Sequence, residues 1–600
     1  MIPLSESVSE PKTIEDNSTT NDTKLENVPE DTETKSESSD EFFHSDEGSL
    51  YEPDQTIDPT ELTRNITTRS KLRMAIMQAN TYICANKISE FEYVPETYSA
   101  AISLNNVNAK KWKQSIEDEL RAHEENKTWS LIEKPKGVRL IDCKWVFRIK
   151  DDPSGPVFKS RLCAKGCGQK RGIDYTEVYS PTVRYDSIRV LLSEAVQHGL
   201  EISQFDVKTA FLYGDVKEDI YMKPPEGLKV ESNQVCKLYR SLYGLKQSPR
   251  CWNQKFDSLL KKYGFINSHA DRCVYIGNIN NNKVYLLLYV DDGLLMSGSK
   301  DSLNKVIFEL KENFKIKQCE LKNFVGLQIE KLEKYIFIHQ SKYIERLLCK
   351  FNMQDANCNK IPVDPHTTLE MGTEASDKNI PYREAVGSLM HLAVESRPDI
   401  MYGVSLVSRY LNCYDQTHWN VVKKILRYLK RTKDYGLCYL PSKSNLEAYS
   451  DADYAKDTST RRSLTGYVFM KNEAAVTWAT QRQHSVALST TEAEFMAACS
   501  ATKEAIWLKR LLMDINEFNQ NSICLNIDNK SAICLIKNVN YHKRCKHIDI
   551  RYNFIKEKYL EKQIDLNYVS TKEQYADIFT KALSKDKFQY LRSKIGVKQL

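Results

Sequence analysis

Three aspartates stand where apolar stretches run out, a placement suited to chemistry more than to packing. Asp206 closes the alternating stretch EISQFDV, and Asp291 and Asp292 lie between YLLLYV and GLLMSG. Asp-Gly is a favoured hairpin turn, so DDG alone reads first as a loop. The long apolar flanks weaken that reading. Two adjacent carboxylates near a third, on a buried hairpin, repel one another unless a cation sits among them. Hard carboxylate oxygens suit Mg²⁺, with Mn²⁺ the alternative, and Mg²⁺ shares its shell with substrate phosphates. Two such ions can clamp the attacking and leaving oxygens of an in-line displacement at phosphorus, which is nucleotidyl transfer. A second set is spread over later elements: Asp451 and Asp528 at strand ends, Glu494 in a helix and Asp577 in the last helical stretch. Four carboxylates on separate elements suit a second two-metal site.

The first set needs an α+β scaffold. Ala109–Asn126 spaces Trp112, Ile116 and Leu120 by four, which predicts an amphipathic helix. KWVFRIK (144–150) and VFKSRLCAKG (157–166) flank the turn-forming DDPSG and predict a hairpin with outward basic residues. Ile188–Gly199 predicts a helix ended by glycine. Glu201–Val207 predicts a strand, and Val284–Gly298 a hairpin with acids at its turn. Three helical patterns follow from Pro381 to Lys433. The last puts Trp419, Val422, Ile425, Leu426 and Leu429 on one face. Its other face is basic, either solvated or tracking phosphates. After Ser444 the order β-β-β-α-β-α-β-α describes a mixed sheet flanked by helices, closing on the helix EQYADIFTKAL.

Length and composition frame this. Six hundred residues make several domains. Through Thr63 there are 18 acidic residues against 3 basic ones, so a net charge of +6 hides a head of −15 on a body of +21. That split suggests a solvated arm joined to a body that meets polyanions. Residues 1–94 are too poor in apolar side chains to offset ordering entropy, so disorder is expected, with a short helix at Ser70–Ile83. Mean hydropathy is −0.53. No run of about 18 apolar residues exists, which excludes a spanning helix. No secretory leader is visible. Sixteen cysteines without a framework read as reduced intracellular thiols.

Tyr289-Val290-Asp291-Asp292 resembles the YxDD box of reverse transcriptases. QFDVKTAFLYGDVKEDIYMKPPEG (Gln204–Gly227) and KLYRSLYGLKQSPRCWN (Lys237–Asn253) resemble the neighbouring blocks of copia-type long-terminal-repeat retrotransposon Pol polyproteins. DCKWVFRIK, RLCAKG, GIDYTEVYSPTVR, SRPDI, YSDADYA, STTEAEFMA, KHIDIR and ADIFTKAL follow in family order, so the resemblance runs from about Pro95 to the C-terminus. It implies an acidic linker (1–94), reverse-transcriptase fingers and palm (95–340), a helical thumb or connection region (341–443) and a ribonuclease H-like mixed α/β domain (444–600). The activity implied is RNA-directed DNA polymerase with ribonuclease H. The partners implied are an RNA template, a DNA primer, their hybrid and deoxynucleoside triphosphates, with no membrane. A homodimer, or association with integrase or capsid, is a further option. The location implied is cytoplasmic, in a virus-like particle if the element is active.

Roles follow by motif. Asp206 and Asp291 match the metal-binding carboxylates, with Asp292 the adjacent third. Phe211 matches the aromatic gate against a ribose 2′-hydroxyl, or is a core phenylalanine. Arg161 and Lys165 match triphosphate contacts, or lie on a solvated face. Gly244, Lys246, Gln247, Ser248 and Pro249 match the template and nucleotide contact block, although Gly244 also serves close backbone approach. The family pattern favours Asp451 over Asp453 and Asp577 over Asp549. Glu492, three after Ser489, makes a capping box and leaves Glu494 free for metal. His542 and His547 are proton shuttles or structural. Tyr454 stands where Trp is common and His391 where Tyr is common, and neither removes a carboxylate. The protease, integrase and zinc-knuckle motifs of the whole polyprotein are not seen, as expected of a C-terminal product or a truncated frame. The rival functions are a catalytically silent nucleic-acid-binding remnant and a DNA-templated polymerase.

Overall fold

The computed structural model describes residues 93–600 apart from 153–154, 372–378, 443–444, 458, 519 and 539–548. The expectations for residues 1–92, including the helix at Ser70–Ile83, and for His542 and His547 lie outside the described residues.

The helix Ala109–Glu125 buries Trp112 and Ile116 as their spacing predicts. Strand β1 (Trp129–Glu133) follows, then β2 (Cys143–Asp152) and β3 (Gly155–Ala164), the expected hairpin. Trp112 meets Phe147 and Phe158 of that hairpin edge-on, with ring centroids 5.3 and 4.7 Å apart. The helix Tyr185–Gln197 ends at Gly199, whose φ of +61° lets Leu200 N donate back to Ala195 O. Then come β4 (Glu201–Val207), β5 (Tyr221–Met222) and β6 (Gln234–Leu238), the last two forming a sheet with β1.

After the helix Ser248–Lys262 run β7 (Ile266–Asn267), β8 (Val274–Ile279), β9 (Asn282–Tyr289), β10 (Asp292–Ser297), the helix Lys300–Asn313 and β11 (Ile316–Cys319). They make one antiparallel sheet ordered β11-β4-β10-β9-β8-β7. Both faces are covered. Leu286 and Leu288 of β9 pack with Phe205, Trp252 and Phe256, while Tyr285 and Leu287 pack into a separate core with Ile188 and Leu192. Burial on two sides is why YLLLYV is continuously apolar.

Strands β12 (Asn323–Phe324), β13 (Leu327–Lys331) and β14 (Ile336–His339) lead into helices Tyr382–Glu395, Met401–Ser408 and Gln416–Arg431, then β15 (Tyr435–Tyr439). The basic face of the last helix is partly engaged: Lys424 pairs with Asp364, and Lys430 donates to Ala356 O at 3.0 Å. Next come β16 (Glu447–Asp453), β17 (Leu464–Lys471), β18 (Ala474–Arg482), the helix Thr490–Asp514, β19 (Ile523–Ile527), helices Lys530–Lys537 and Asp549–Leu560, and β20 (Ile564–Tyr568). The sheet order is β18-β17-β16-β19-β20, with β16 to β18 antiparallel and β19 and β20 parallel to β16. The α+β class therefore stands: a hairpin-and-sheet body followed by a mixed sheet flanked by helices.

Two details differ from the sequence reading. EQYADIFTKAL is helical only at Asp577–Thr580, because the backbone turns extended at Lys581 (φ −144°, ψ 154°), whose side chain pairs with Asp577 and Asp451. The last helix is instead Lys585–Lys594, and β21 (Val597–Gln599) pairs with β15 rather than with the mixed sheet. One sheet, β12-β13-β14-β15-β21, thus joins segments on either side of residues 340 and 443.

The SRPDI motif anchors this junction. Arg397 and Asp399 are fully buried and joined by two hydrogen bonds of 2.9 and 2.8 Å. Arg397 also donates to Thr432 O at 2.8 Å, and Tyr428 OH donates to Asp399 at 2.5 Å. Replacing Arg397 with Met strands a buried carboxylate and is expected to cost about 3–5 kcal/mol. Urea denaturation measures this, and the double variant Arg397→Met, Asp399→Leu should recover much of the loss.

Candidate active sites

In the sheet β11-β4-β10-β9-β8-β7, register puts two of the predicted acids together. Asp292 of β10 lies directly opposite Asp206 of β4, so their side chains share a face. Asp291 occupies the β9–β10 turn with Val290, whose φ of +58° is a region that β-branched residues seldom enter. Two hydrogen bonds hold that strained turn: Trp252 Nε1 donates to Val290 O at 2.6 Å and Val207 N to Asp291 O at 2.9 Å. Gly293 is required by its partner across the ladder, since a Cβ there would come within 2.0 Å of the Phe205 ring. Burial, then the charges of Asp291 and Asp206, push Asp292 up to about 7. Burial also raises Asp291, with Asp206 adding repulsion, while Lys150 and Arg161 pull the other way.

The other palm residues divide. Arg161 bonds Glu119 at 3.0 Å and lies over the Tyr243 ring, 5.3 Å from its centroid. Phe211 meets the same Tyr243 ring edge-on at 4.8 Å and is half-buried against the palm core. Lys165 instead faces Asp142, 3.9 Å away. Gly244 has φ +90°, and a Cβ there would lie 2.0 Å from Ala164 O, so the close approach of hairpin and loop requires glycine. Gln247 is buried, donating to Asp174 O at 2.8 Å and accepting from Gln169 at 3.0 Å. Ser248 is buried on Leu242 O at 2.6 Å, and Pro249 O accepts from Ser180 Oγ at 3.1 Å. Lys246 holds Tyr175 OH at 3.2 Å. The block ties the segment after β3 to the helix Ser248–Lys262, with the side chains of Gln247 and Ser248 turned inward.

In the mixed sheet, adjacent parallel strands β16 and β19 bring Asp451 and Asp528 together, and Glu494 comes from the first turns of the facing helix. One oxygen of each lies within 4.8 Å of the others. Ser489 caps Glu492 N at 3.1 Å, and the Glu492 carboxylate accepts from Leu488 N at 2.8 Å, so Glu492 serves the helix start. Burial, then Asp451 and Asp528, push Glu494 up to about 10. Burial pushes Asp451 up to about 6 against the pull of Lys581. Glu494 Oε2 is buried and accepts no hydrogen bond.

Asp577 stands beside this trio rather than in it. It is fully buried, with Lys581 Nζ at 2.7 Å and Lys587 also paired to it, and Lys581 reaches on to Asp451 at 3.5 Å. Thr580 donates to Asp451 as well. Asp453 pairs with Lys456 at 3.0 Å. The side chain of Asp549 lies outside the described residues. Lys150, Trp252, Gly293, Thr580 and Lys581 were not singled out from sequence. Gly293 follows DD directly, and Thr580 and Lys581 lie in the quoted YADIFTK, so each had a local signal. Both centres offer carboxylate oxygens driven toward protonation by one another, and one holds an orphaned acceptor. Such donor sets fit a hard divalent cation.

Residues 126–365 match the family described as reverse transcriptase (RNA-dependent DNA polymerase). A retrovirus-related Pol polyprotein from transposon TNT 1-94 of Nicotiana tabacum is 41% identical over 518 residues, covering 84% of this chain and 39% of that one. The chain thus spans about two fifths of that polyprotein's length. A Ty5-1 transposon protein of Saccharomyces cerevisiae is 32% identical over 306 residues, covering 50% of this chain and 99% of that one. A solved foamy-viral protease–reverse transcriptase in complex with double-stranded DNA aligns with 85% of this chain and 81% of that one, at TM-score 0.44 and 15% identity. The ordered motif blocks, the YxDD turn, the family match and the transposon relatives agree: the chain belongs to the Pol polyproteins of copia-type long-terminal-repeat retrotransposons and carries their reverse transcriptase.

Proposed function

We propose that this chain copies RNA into DNA at Asp206, Asp291 and Asp292 and cleaves the RNA strand of the resulting hybrid at Asp451, Glu494 and Asp528. The observation that carries the reading is the convergence of the second trio around an orphaned carboxylate oxygen, together with the pinned YVDD turn. Mg²⁺ at these carboxylates would polarise phosphate oxygens and activate the attacking hydroxyl or water. The chain's own residues do the rest. The Val290–Asp291 turn fixes one carboxylate against the strand that carries Asp206. Lys150 and Arg161, on the adjoining hairpin, offset charge on the incoming triphosphate. Phe211, against Tyr243, lines the sugar side of that pocket. Lys581 holds Asp577 and steadies Asp451 beside it. Template, primer and hybrid would lie along the basic body.

Primer extension on poly(rA)/oligo(dT) separates this from a silent remnant, and a DNA template separates it from a DNA-templated polymerase. Asp291→Asn is expected to lower synthesis by on the order of 10³-fold or more while sparing hybrid cleavage. Retained synthesis in that variant would remove the assignment.

Asp451→Asn should do the reverse, losing cleavage of a labelled hybrid and keeping primer extension. Loss of both activities in a folded variant would count against two separable centres.

The second trio also predicts a pH signature. Burial and the charges of Asp451 and Asp528 raise Glu494 from an ordinary 4.5 to about 10 in the cation-free fold, so the fold holds a proton that the unfolded chain has released. Between those values stability falls as pH rises, by up to about 1.4 kcal/mol per unit. In EDTA, denaturation from pH 6 to 9 should show this slope in the wild type and not in Glu494→Gln. Mg²⁺ should flatten the wild-type curve, and equal slopes in both proteins would refute it.

A further inference from the structure

A third side-chain cluster lies away from both centres, where the palm meets the mixed sheet. Glu194 and His198 are four residues apart at the end of the helix Tyr185–Gln197, and Glu517 follows the helix Thr490–Asp514. His198 Nε2 is 2.9 Å from Glu517 Oε2 and 3.5 Å from Glu194 Oε2. One ligand atom from each of the three residues falls within 4.8 Å of the others.

These separations have a meaning beyond hydrogen bonding. Nitrogen and oxygen ligands about 2.0–2.2 Å from a tetrahedral ion are about 3.3 Å from one another. The two measured distances bracket that edge. The Glu194 side chain is 2% exposed, and its buried Oε1 accepts no hydrogen bond. Lys471 Nζ stands 3.0 Å from Oε1 and offsets one of the two carboxylate charges. Oε2 is left facing His198. A ligating carboxylate is commonly steadied in this way through its second oxygen. Gln197, Ser442 and Asn445 line the adjoining cavity of about 150 Å³, which gives room for a water as fourth ligand and a path to solvent.

We propose that Glu194, His198 and Glu517 form a binding site for a transition-metal ion of the Zn²⁺ class, distinct from the two carboxylate centres. Imidazole with two carboxylates suits Zn²⁺, whereas the all-oxygen centres suit Mg²⁺. The ion would join the palm helix to the far end of the helix that carries Glu494, so it acts as a staple between the two halves. The proposal does not depend on either catalytic assignment.

The test uses the full chain, stripped with EDTA and dialysed against Zn²⁺ in excess Mg²⁺ to fill the carboxylate centres, with bound zinc measured by emission spectrometry. One zinc per chain is expected in the wild type and in Asp451→Asn. His198→Ala and Glu517→Gln should each bind at least about tenfold more weakly. Co²⁺ in place of zinc should give the strong visible absorption of a tetrahedral site in the wild type and lose it in both variants. Because His198 is 44% exposed, its alanine variant is expected to fold, and retained primer extension checks that. Equal zinc in the wild type and His198→Ala would overturn the proposal. So would a wild type without zinc whose stability tracks pH through His198, since a proton would then be the cation that bridges the two carboxylates.

Discussion

Carboxylates buried side by side at strand ends are the constraint that organises this protein. Removing a carboxylate from water is costly, and placing another beside it adds repulsion. The chain does this twice, and each time with the most rigid parts it has. In the palm the acids sit at the open end of a sheet covered on both faces, on a turn whose strain is held by the Trp252 indole and a backbone bond from β4. In the mixed sheet they come from two adjacent parallel strands and a capped helix. A loop could not hold such groups together against their own repulsion.

The same economy explains why the two halves are not loosely strung. Arg189 of the helix Tyr185–Gln197 donates to Val476 O, Val394 O and Glu395 O at 2.7, 3.0 and 2.9 Å, so one guanidinium ties its helix to two other segments. Arg184 stacks on Trp507 at 3.7 Å, and Trp507 returns a hydrogen bond to Ala270 O. Asp514 caps the loop at Ser268 and His269. A single apolar cluster runs from the palm through the connecting helices into the mixed sheet. Displacing one centre relative to the other would require breaking a shared core.

Much of this was legible in the residues. Period-two and four-residue patterns located the strands β4 and β16 to β20 and the long helices, because each buries one consistent face. Asp206, Asp291, Asp451 and Asp528 drew notice because charge at the end of an apolar stretch has few structural uses, and Glu494 because the family series includes it and the helix start accounts for Glu492 instead. What the sequence hid was set by partners far along the chain. Gly293 is explained only by Phe205 across the ladder, and Gln247 only by Gln169 and Asp174. The course of β21 was hidden because three residues carry too little pattern to show that they pair with β15. The four-residue helix at Asp577 was overestimated because the extended backbone at Lys581, not its composition, ends it.

The buried acids differ in how their charge is met. Several are paired with a protein cation: Arg161 for Glu119, Arg397 for Asp399, Arg482 for Asp457, and Lys581 with Lys587 for Asp577. Asp291, Asp292 and Glu494 are treated differently. Among the described residues they have no lysine or arginine at ion-pair distance, and their neighbours are other carboxylates. Family pattern groups Asp577 with the catalytic acids, and in the fold Lys581 bridges it to Asp451.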